Sequence, residues 1–422
     1  MEQIYAKYLE HPRICTDTRN IIPDSIFVCL KGENFDGNSF ATQALDAGAA
    51  FVITNRKDLA GNSRCIVVDD TLQTLQQLAK YHREHLKIPV IGITGTNGKT
   101  TTKELVSTVL AKKYRISFTQ GNLNNHIGVP LTLLSIQPDT QIAIVEMGAN
   151  HPGEIADLCQ LSQPTHGIIT NIGTAHIEGF LSQENIIITK KALYRSVIAR
   201  QGTLFVNIGD PVLTQDLDYP SLYSYAIDHV TANVSGKIIR NDGLLTISLF
   251  GRTVKTQLTG AYNLANLLCA AAVGRYFDVS EDDICEALAN YQPSNHRSQV
   301  EHRGSNTIIA DYYNANPTSM TAALNNLFSI DHPHKVAILG DMRELGSVSH
   351  DAHARIIALC QEHSIEAYFV GSEFHKHLAS DPHSFVDVDA ANDYFSKQSI
   401  SDALVLVKGS RSIHLEKLSL LQ

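Results

Sequence analysis

The feature that most constrains the fold is a repeated alternation of short apolar runs with helical stretches. Residues 90–94 form an apolar run directly after Pro89, and residues 101–112 place four apolar side chains on one helical face. Two further apolar runs follow at residues 142–145 and 167–170. Short apolar runs separated by helices are typical of strands buried on both faces. The pattern therefore predicts an α/β fold with a doubly wound, mostly parallel sheet.

The length of 422 residues predicts more than one domain, since a single core rarely grows so large. Residues 1–87 contain short apolar runs and helical stretches, which predict a small N-terminal α/β domain. Residues 88–294 carry the central P-loop-type, mostly parallel sheet. Within this domain, residues 230–258 alternate polar and apolar positions around the turn Asn241-Asp242-Gly243, which predicts β-hairpins on the sheet edge.

A second alternation begins where the pattern breaks near Gln292-Pro293-Ser294. It predicts a C-terminal Rossmann-like α/β domain over residues 295–422. Its predicted strands are residues 307–310, 335–339, 367–370 and 404–407.

Composition and charge exclude several classes of protein. A formal net charge of -9 argues against broad nucleic-acid binding, which needs a surplus of Lys and Arg. The chain has no apolar run near the roughly 20 residues that a membrane span requires, and its N-terminus lacks the apolar segment of a signal peptide. The 7 cysteines are scattered and never spaced as CxxC, a pattern typical of reduced thiols. We therefore expect a cytoplasmic protein with no membrane span and no nucleic-acid partner.

A glycine-bearing turn lies between the predicted strand at residues 90–94 and the helix that follows. Backbone N–H groups at the start of a helix can bind phosphate, a lysine can reach the outer phosphates, and a threonine can coordinate Mg²⁺. The spacing departs from GxxxxGK[ST], and an ordinary strand-to-helix turn is the structural alternative. The context favours ATP binding by the seven residues Gly95, Thr96, Asn97, Gly98, Lys99, Thr100 and Thr101.

This shortened loop resembles the ATP loop of the Mur ligase family, which includes folylpolyglutamate synthetases. Four further segments are similar to the branch of the family that adds D-alanyl-D-alanine: residues 146–155, 311–317, 339–346 and 407–411. The resemblance spans essentially the whole chain. At the N-terminus it implies a UDP-sugar-binding domain whose candidate substrate-binding residues are Asp17, Thr18, Arg19, Lys31 and Asp36.

The candidate metal ligands follow the predicted strands. Thr100 lies in the loop, and Glu146 comes at the end of the run 142–145, where α/β sheets place ligands; a capping or ion-paired glutamate is the alternative. The resemblance implies that His176 coordinates metal and that Lys190 is carbamylated and holds a second Mg²⁺. It also makes Lys99, His176 and Lys190 the candidate catalytic residues.

Two features of this sequence leave the lysine position open. The nearest relatives carry an acidic residue where Ala192 stands, and Lys191 beside Lys190 makes the register ambiguous. A pair of solvated helix lysines is the alternative.

The resemblance also implies nucleotide contacts from outside the loop. Asn263 and Asn266 match a helix that contacts the nucleotide, although a buried asparagine network is the structural alternative. Arg297, at the start of the third domain, is expected to reach the ATP phosphates; an exposed linker arginine is the alternative. Asp311 follows a strand and is expected to bind the ribose hydroxyls.

The remaining substrate-binding candidates lie in the third domain. Asn314 and Asn316 are expected to frame the nucleotide or an incoming dipeptide. Lys408 and Arg411 offer donors to a carboxylate of the tripeptide or dipeptide, with surface ion pairs as the alternative. Relatives carry a small residue where Tyr312 stands, so this wall of the site differs in the present chain.

The resemblance therefore implies an ATP-dependent amide-bond ligase that uses ATP and two Mg²⁺ ions. It would join D-alanyl-D-alanine to the terminal carboxylate of UDP-N-acetylmuramoyl-tripeptide through an acyl phosphate, in cytoplasmic synthesis of peptidoglycan precursors. The alternatives are a sibling ligase that adds another amino acid or glutamate, a regulatory P-loop NTPase, and a nucleotide-binding interaction protein without chemistry. Some relatives are fused at this C-terminus to an alanine racemase. The resemblance therefore adds a fused alanine racemase to the partners considered for this chain.

Overall fold

The computed structural model describes residues 1–33, 35–174 and 177–421, and the chain folds around three β-sheets. No helix within these ranges is long and apolar enough to cross a membrane.

The N-terminal sheet has four parallel strands in the order β1-β2-β3-β4. Its strands are β1 Ile14–Cys15, β2 Ile26–Val28, β3 Phe51–Thr54 and β4 Cys65–Val67. The helices are α1 Glu2–Glu10, α2 Ala41–Asp46 and α3 Thr71–His85. The Asp70 carboxylate caps α3 by accepting from the Gln73 N–H, which fixes where this long helix begins. Leu75, Leu78 and Ala79 of α3 belong to one apolar cluster with residues of the central part of the chain.

The central sheet has nine strands in the order β13-β12-β11-β10-β9-β8-β5-β7-β6. All pairs are parallel except the β11-β12 and β12-β13 pairs. The strands are β5 Val90–Thr94, β6 Ile116–Phe118, β7 Ile142–Glu146, β8 His166–Ile169, β9 Thr203–Asn207, β10 Leu222–Ile227, β11 Val234–Asn241, β12 Leu245–Leu249 and β13 Arg252–Lys255. The helices are α4 Lys99–Leu110, α5 Gly128–Leu134, α6 Glu154–Ser162, α7 Ile177–Phe180, α8 Gln183–Ala199, α9 Pro211–Thr214, α10 Asn263–Tyr276 and α11 Glu281–Asn290.

Helices cover both faces of this sheet. Along β5, Ile91 and Ile93 belong to the apolar cluster that includes α4, α10 and α11, whereas Val90 belongs to the cluster that includes α5, α6 and α8. Burial on both faces explains why the strand is apolar throughout. The predicted doubly wound sheet and its antiparallel edge strands are confirmed. Because β5 lies between β7 and β8, the loops that follow these three strands lie side by side.

The C-terminal sheet has six strands in the order β14-β15-β19-β16-β17-β18, with only β14 antiparallel to its neighbour among the described strands. Its strands are β14 Gln299–Arg303, β15 Asn306–Asp311, β16 Lys335–Gly340, β17 Glu366–Val370, β18 Ser384–Phe385 and β19 Leu404–Lys408. The helices are α12 Pro317–Ser329, α13 Ser349–Glu362, α14 Ser372–His377 and α15 Val388–Phe395. The predicted Rossmann-like α/β arrangement is confirmed.

Candidate active site

The loop between β5 and α4 is built around two glycines in the left-handed region. Gly95 has φ +149° and Gly98 has φ +77°. A Cβ at Gly95 would overlap the Thr170 hydroxyl, and a Cβ at Gly98 would lie 2.8 Å from the Asn266 Oδ1. Both positions therefore need glycine for conformation and for space.

Hydrogen bonds from the segment after β8 hold this loop in place. The Thr96 N–H donates to the Asn171 carbonyl at 2.9 Å, and the Asn97 N–H donates to the Asn171 Oδ1 at 3.0 Å. The Thr170 hydroxyl donates to the Asn97 carbonyl at 2.6 Å. The segment that follows β8 therefore fixes the conformation of the glycine loop.

Two lysines converge on the same loop carbonyl. The Lys99 Nζ donates to the carbonyls of Gly95 at 2.7 Å and Thr96 at 3.0 Å. The Lys190 Nζ, from α8, donates to the Gly95 carbonyl at 3.1 Å. Desolvation lowers the pKa of Lys99 to about 8, opposed by the Glu146 charge. Burial, and then the charge of Lys99, lowers the pKa of Lys190 to about 7. The site therefore holds poorly solvated amines that an anion would stabilise.

Glu146 ends β7 beside the loop and is only 1% exposed. Its Oε1 accepts from the Thr100 hydroxyl at 3.2 Å and from the Asn124 Nδ2 at 2.8 Å. Its Oε2 is buried and has no hydrogen-bond partner among the described residues. An unpaired buried carboxylate oxygen is costly, and a hard cation such as Mg²⁺ prefers oxygen ligands of this kind. Thr100 and Glu146 therefore fit a magnesium ion.

The histidine predicted as a metal ligand lies outside the described residues. His176 and its neighbour Ala175 belong to the part of the chain that is not described. Within residues 1–33, 35–174 and 177–421, no group of three or more His, Cys, Asp or Glu side chains could hold a metal. The role of His176 therefore stays a prediction.

The C-terminal part of the chain reaches across to the loop. The Asn316 Nδ2 donates to the Asn97 Oδ1 at 2.8 Å, and the Thr318 and Thr174 hydroxyls lie 3.4 Å apart. The Arg297 guanidinium lies 3.8 Å from the centroid of the Tyr313 ring, and its Nε is buried without a partner among the described residues. A stacked arginine with an unused buried donor is well placed to receive an anion.

Asp311 and Lys408 are paired with each other. They are directly opposite in the register of β15 and β19, and the Lys408 Nζ donates to the Asp311 Oδ2 at 2.7 Å. It also lies 3.3 Å from the Asn314 carbonyl, while the Ser298 N–H donates to the Asp311 Oδ1 at 3.1 Å. The Lys408 side chain is 2% exposed. Both residues line the cleft, so the roles predicted for them in ribose and carboxylate binding would have to coexist with this ion pair.

We expect Asp311→Asn to lower the free energy of unfolding by about 3 kcal/mol, because it leaves the buried Lys408 ammonium without its counter-charge. Urea denaturation would measure the change. Adding Lys408→Met to Asp311→Asn should recover most of the loss. A double variant no more stable than Asp311→Asn alone would contradict this explanation.

Asn263 and Asn266 form a buried network that joins α10 to α4. The Asn266 Nδ2 donates to the Asn263 Oδ1 at 2.8 Å, and the Thr102 hydroxyl donates to the Asn266 Oδ1 at 3.2 Å. The Asn263 Nδ2 donates to the Thr259 carbonyl at 2.8 Å. Both asparagines also line the cleft. The structure therefore supports the core network, and a nucleotide contact at the same side chains stays a prediction.

The substrate-binding candidates of the N-terminal domain do not line the cleft. The Arg19 guanidinium donates to both carboxylate oxygens of Asp17 at 2.9 Å, and this hydrogen bonding lowers the pKa of Asp17 to about 2. The Lys31 Nζ and the Asp36 Oδ2 lie 3.9 Å apart, and Thr18 is half-buried. The structure thus groups Asp17 with Arg19 and Lys31 with Asp36, away from the walls of the cleft.

The cleft itself has a volume of about 1000 Å³. Its walls come from the glycine loop, the segment after β7, the start of the C-terminal domain and α3. Arg411 is exposed and is not part of the wall, although its guanidinium lies 5.6 Å from the Tyr313 ring centroid. Sequence reasoning missed several lining residues, namely Gln73, Gln76, Gln77, Lys80, Asn124, His126 and Tyr313. The run Asn122 to His126 gave a signal, since it holds three asparagines and a histidine within five residues.

The loop, the buried carboxylate and the arginine from the third domain define a nucleotide-binding α/β enzyme. The chain belongs to the Mur ligase family. The Mur ligase family catalytic domain matches residues 13–83, the Mur ligase middle domain matches residues 93–274, and the Mur ligase glutamate ligase domain matches residues 296–411.

Several relatives of similar length carry the same name. The chain is 35% identical to the UDP-N-acetylmuramoyl-tripeptide–D-alanyl-D-alanine ligase of Bacillus subtilis, over 96% of this chain and 92% of that protein. It is 31% identical to the Escherichia coli ligase of the same name, with the same coverage. Among solved structures, MurF from Acinetobacter baumannii has a TM-score of 0.86 at 32% identity, covering 96% of this chain and 92% of that one. MurF ligase from Thermotoga maritima in complex with ADP has a TM-score of 0.85 at 26% identity, covering 98% and 97%.

Proposed function

We propose that this chain is an ATP-dependent ligase that joins D-alanyl-D-alanine to the terminal carboxylate of UDP-N-acetylmuramoyl-tripeptide in peptidoglycan precursor synthesis. The observation that carries the proposal is the placement of Lys99 and Arg297 on the wall of one cleft beside the buried Glu146, with Lys190 packed behind the loop against the Gly95 carbonyl. Cations aimed at a phosphate-binding loop suit phosphoryl transfer. The full-length similarity to ligases of that name supports the choice of substrates.

The reaction needs activation because a carboxylate oxygen is a poor leaving group. A carboxylate oxygen of the tripeptide attacks the γ-phosphorus of ATP, and the bond to ADP breaks. The amine nitrogen of D-alanyl-D-alanine then attacks the acyl carbon, phosphate leaves with the bonding electrons, and the amine loses a proton. Lys99 would exchange its bonds to the Gly95 and Thr96 carbonyls for bonds to phosphate oxygens. Arg297 would bind the negatively charged phosphates from the opposite wall of the cleft.

Magnesium would neutralise the phosphate charge during transfer. Thr100 and Glu146 would hold one ion, as the unpaired Glu146 Oε2 beside the Thr100 hydroxyl suggests. We assign a second ion to His176 and a carbamylated Lys190. A lysine whose pKa is lowered to about 7 is partly neutral near neutral pH, and only the neutral amine can react with carbon dioxide. Carbamylation would turn that buried cation into an anionic oxygen ligand.

Each of the three domains would have a separate binding role. Residues 1–87 would bind the UDP-sugar, with Asp17, Thr18, Arg19, Lys31 and Asp36 as candidate contacts. Residues 88–294 would bind ATP, and residues 295–422 would complete the site with Asn314, Asn316 and Arg411. ATP and a UDP-linked substrate place the reaction in the cytoplasm.

The test is phosphate release from Mg-ATP with UDP-N-acetylmuramoyl-tripeptide, measured with and without D-alanyl-D-alanine. The proposal predicts release that needs both substrates, together with the UDP-linked pentapeptide product by mass spectrometry. Release with glutamate or a single amino acid instead would indicate a sibling ligase. Release without any amine would indicate an NTPase.

A further inference from the structure

The segment that joins the central and C-terminal domains is tied to the helix that follows the phosphate loop. The Tyr291 hydroxyl donates to the Glu104 Oε2, and the Asn295 Nδ2 donates to the Glu104 Oε1 at 2.9 Å. Glu104 lies on α4, one helical turn beyond Thr100. One carboxylate therefore holds both ends of the stretch 291–295.

Arg297 lies between these hydrogen bonds to Glu104 and a second set of hydrogen bonds at Ser298. The Tyr262 and Ser298 hydroxyls lie 2.8 Å apart, and the Ser298 N–H donates to Asp311. His296 and Ser298 both have φ +53°, an unfavourable backbone for residues other than glycine. A tight bend of this kind persists when contacts on either side hold it. This bend places the Arg297 side chain in the wall of the cleft.

Glu104 is itself held on α4. Its Oε1 lies 3.9 Å from the Nζ of the buried Lys103, which pairs the carboxylate with a cation of the same helix. A carboxylate fixed in this way can hold the linker in one geometry.

We propose that Glu104 is a positioning residue for the ligase reaction. It couples the helix that bears Lys99 and Thr100 to Arg297. This inference rests on the proposed function and deepens it, since Glu104 acts on the ATP phosphates only through Arg297. The carboxylate suits the task because each oxygen accepts one bond from the linker. Glu104 itself does not line the cleft.

The experiment compares Glu104→Ala with Glu104→Gln, each alone and combined with Arg297→Ala, in steady-state ligation by the full-length chain. Glu104→Ala should raise the KM for ATP about tenfold and lower kcat several-fold, while the KM for D-alanyl-D-alanine stays within about twofold. Glu104→Gln should leave the KM for ATP within a few-fold of the wild-type value, since its amide oxygen can accept from Asn295 and its NH2 group can donate to the Tyr291 hydroxyl oxygen. In the Arg297→Ala background, Glu104→Ala should add less than about twofold.

Glu286→Ala is the matched control, because Glu286 on α11 pairs with Lys112 just beyond α4 at 2.9 Å but touches no linker residue among the contacts described. It should leave both KM values unchanged. Multiplicative effects of Glu104→Ala and Arg297→Ala would overturn the proposal, as would equal rises in both KM values. If Glu104→Ala does not fold in thermal unfolding, Tyr291→Phe combined with Asn295→Ala removes the same two bonds and must give the same selective rise. Absence of ligation by the wild type would instead refute the proposed function.

Discussion

Replacing Lys99 with alanine is expected to lower kcat for ligation by about a thousandfold or more. The Lys99 ammonium already points into the glycine loop, where it bonds the Gly95 and Thr96 carbonyls. Transfer of the γ-phosphoryl group spreads negative charge over oxygens that this ammonium would contact. Phosphate release with both substrates would measure the loss.

The matched control for this variant is Lys113→Ala, just past the end of the same helix. The Lys113 Nζ donates at the surface to the Asp278 carbonyl at 2.8 Å, away from the cleft, so its removal should leave kcat within about twofold. Retention of a tenth or more of wild-type kcat in Lys99→Ala would place phosphoryl transfer elsewhere.

The second large effect is expected at Lys190. Lys190→Ala should also lose about a thousandfold in kcat, because it removes the oxygen ligand that we propose for the second Mg²⁺. If the active form is a carbamate, short carboxylates such as formate or acetate should restore part of the activity, since they can occupy the space and supply that oxygen. Activity in carbon-dioxide-free buffer should fall for the wild type and return on adding bicarbonate.

Lys191→Ala resolves the register of this lysine pair. The Lys191 Nζ donates to the Gln215 carbonyl at 2.8 Å and Lys191 is only half-buried, whereas Lys190 is buried against the loop. We expect Lys191→Ala to be active and indifferent to carboxylates. Rescue of Lys191→Ala, or a fully active Lys190→Ala, would contradict the assignment. Of this pair, the structure favours Lys190, since its amine donates to the Gly95 carbonyl whereas the Lys191 amine donates to the Gln215 carbonyl.

Much of the fold was predictable because strands buried on both faces leave a clear apolar signal, as at residues 90–94 and 142–145. Weaker strands were missed. β14 reads Gln-Val-Glu-His-Arg and lies at a sheet edge. None of its side chains is buried, so its sequence does not separate it from a loop. β6 has three residues and follows a lysine- and arginine-rich turn, too short to show a period.

The site was predictable where it is local and not where it depends on packing between domains. The loop from Gly95 to Thr101 is read from consecutive residues. The pairing of Asp311 with Lys408 depends on the register of β15 and β19, which are almost a hundred positions apart in sequence, and no pattern specifies it. The stacking of Arg297 on Tyr313 likewise arises from tertiary contacts. The glutamines of α3 reach the cleft because that helix packs against the central domain.

The packing of α3 also determines which parts of the molecule share a core. Leu75 and Leu78 of α3 share one apolar cluster with Val129 and Leu133 of α5, and the Arg83 guanidinium donates to the Ser162 carbonyl at 2.9 Å. The C-terminal sheet has apolar clusters of its own. The N-terminal and central domains are therefore stabilised by one shared core, whereas the C-terminal domain has its own. A cavity opened beside Leu75 would then weaken the first two domains together and spare the third.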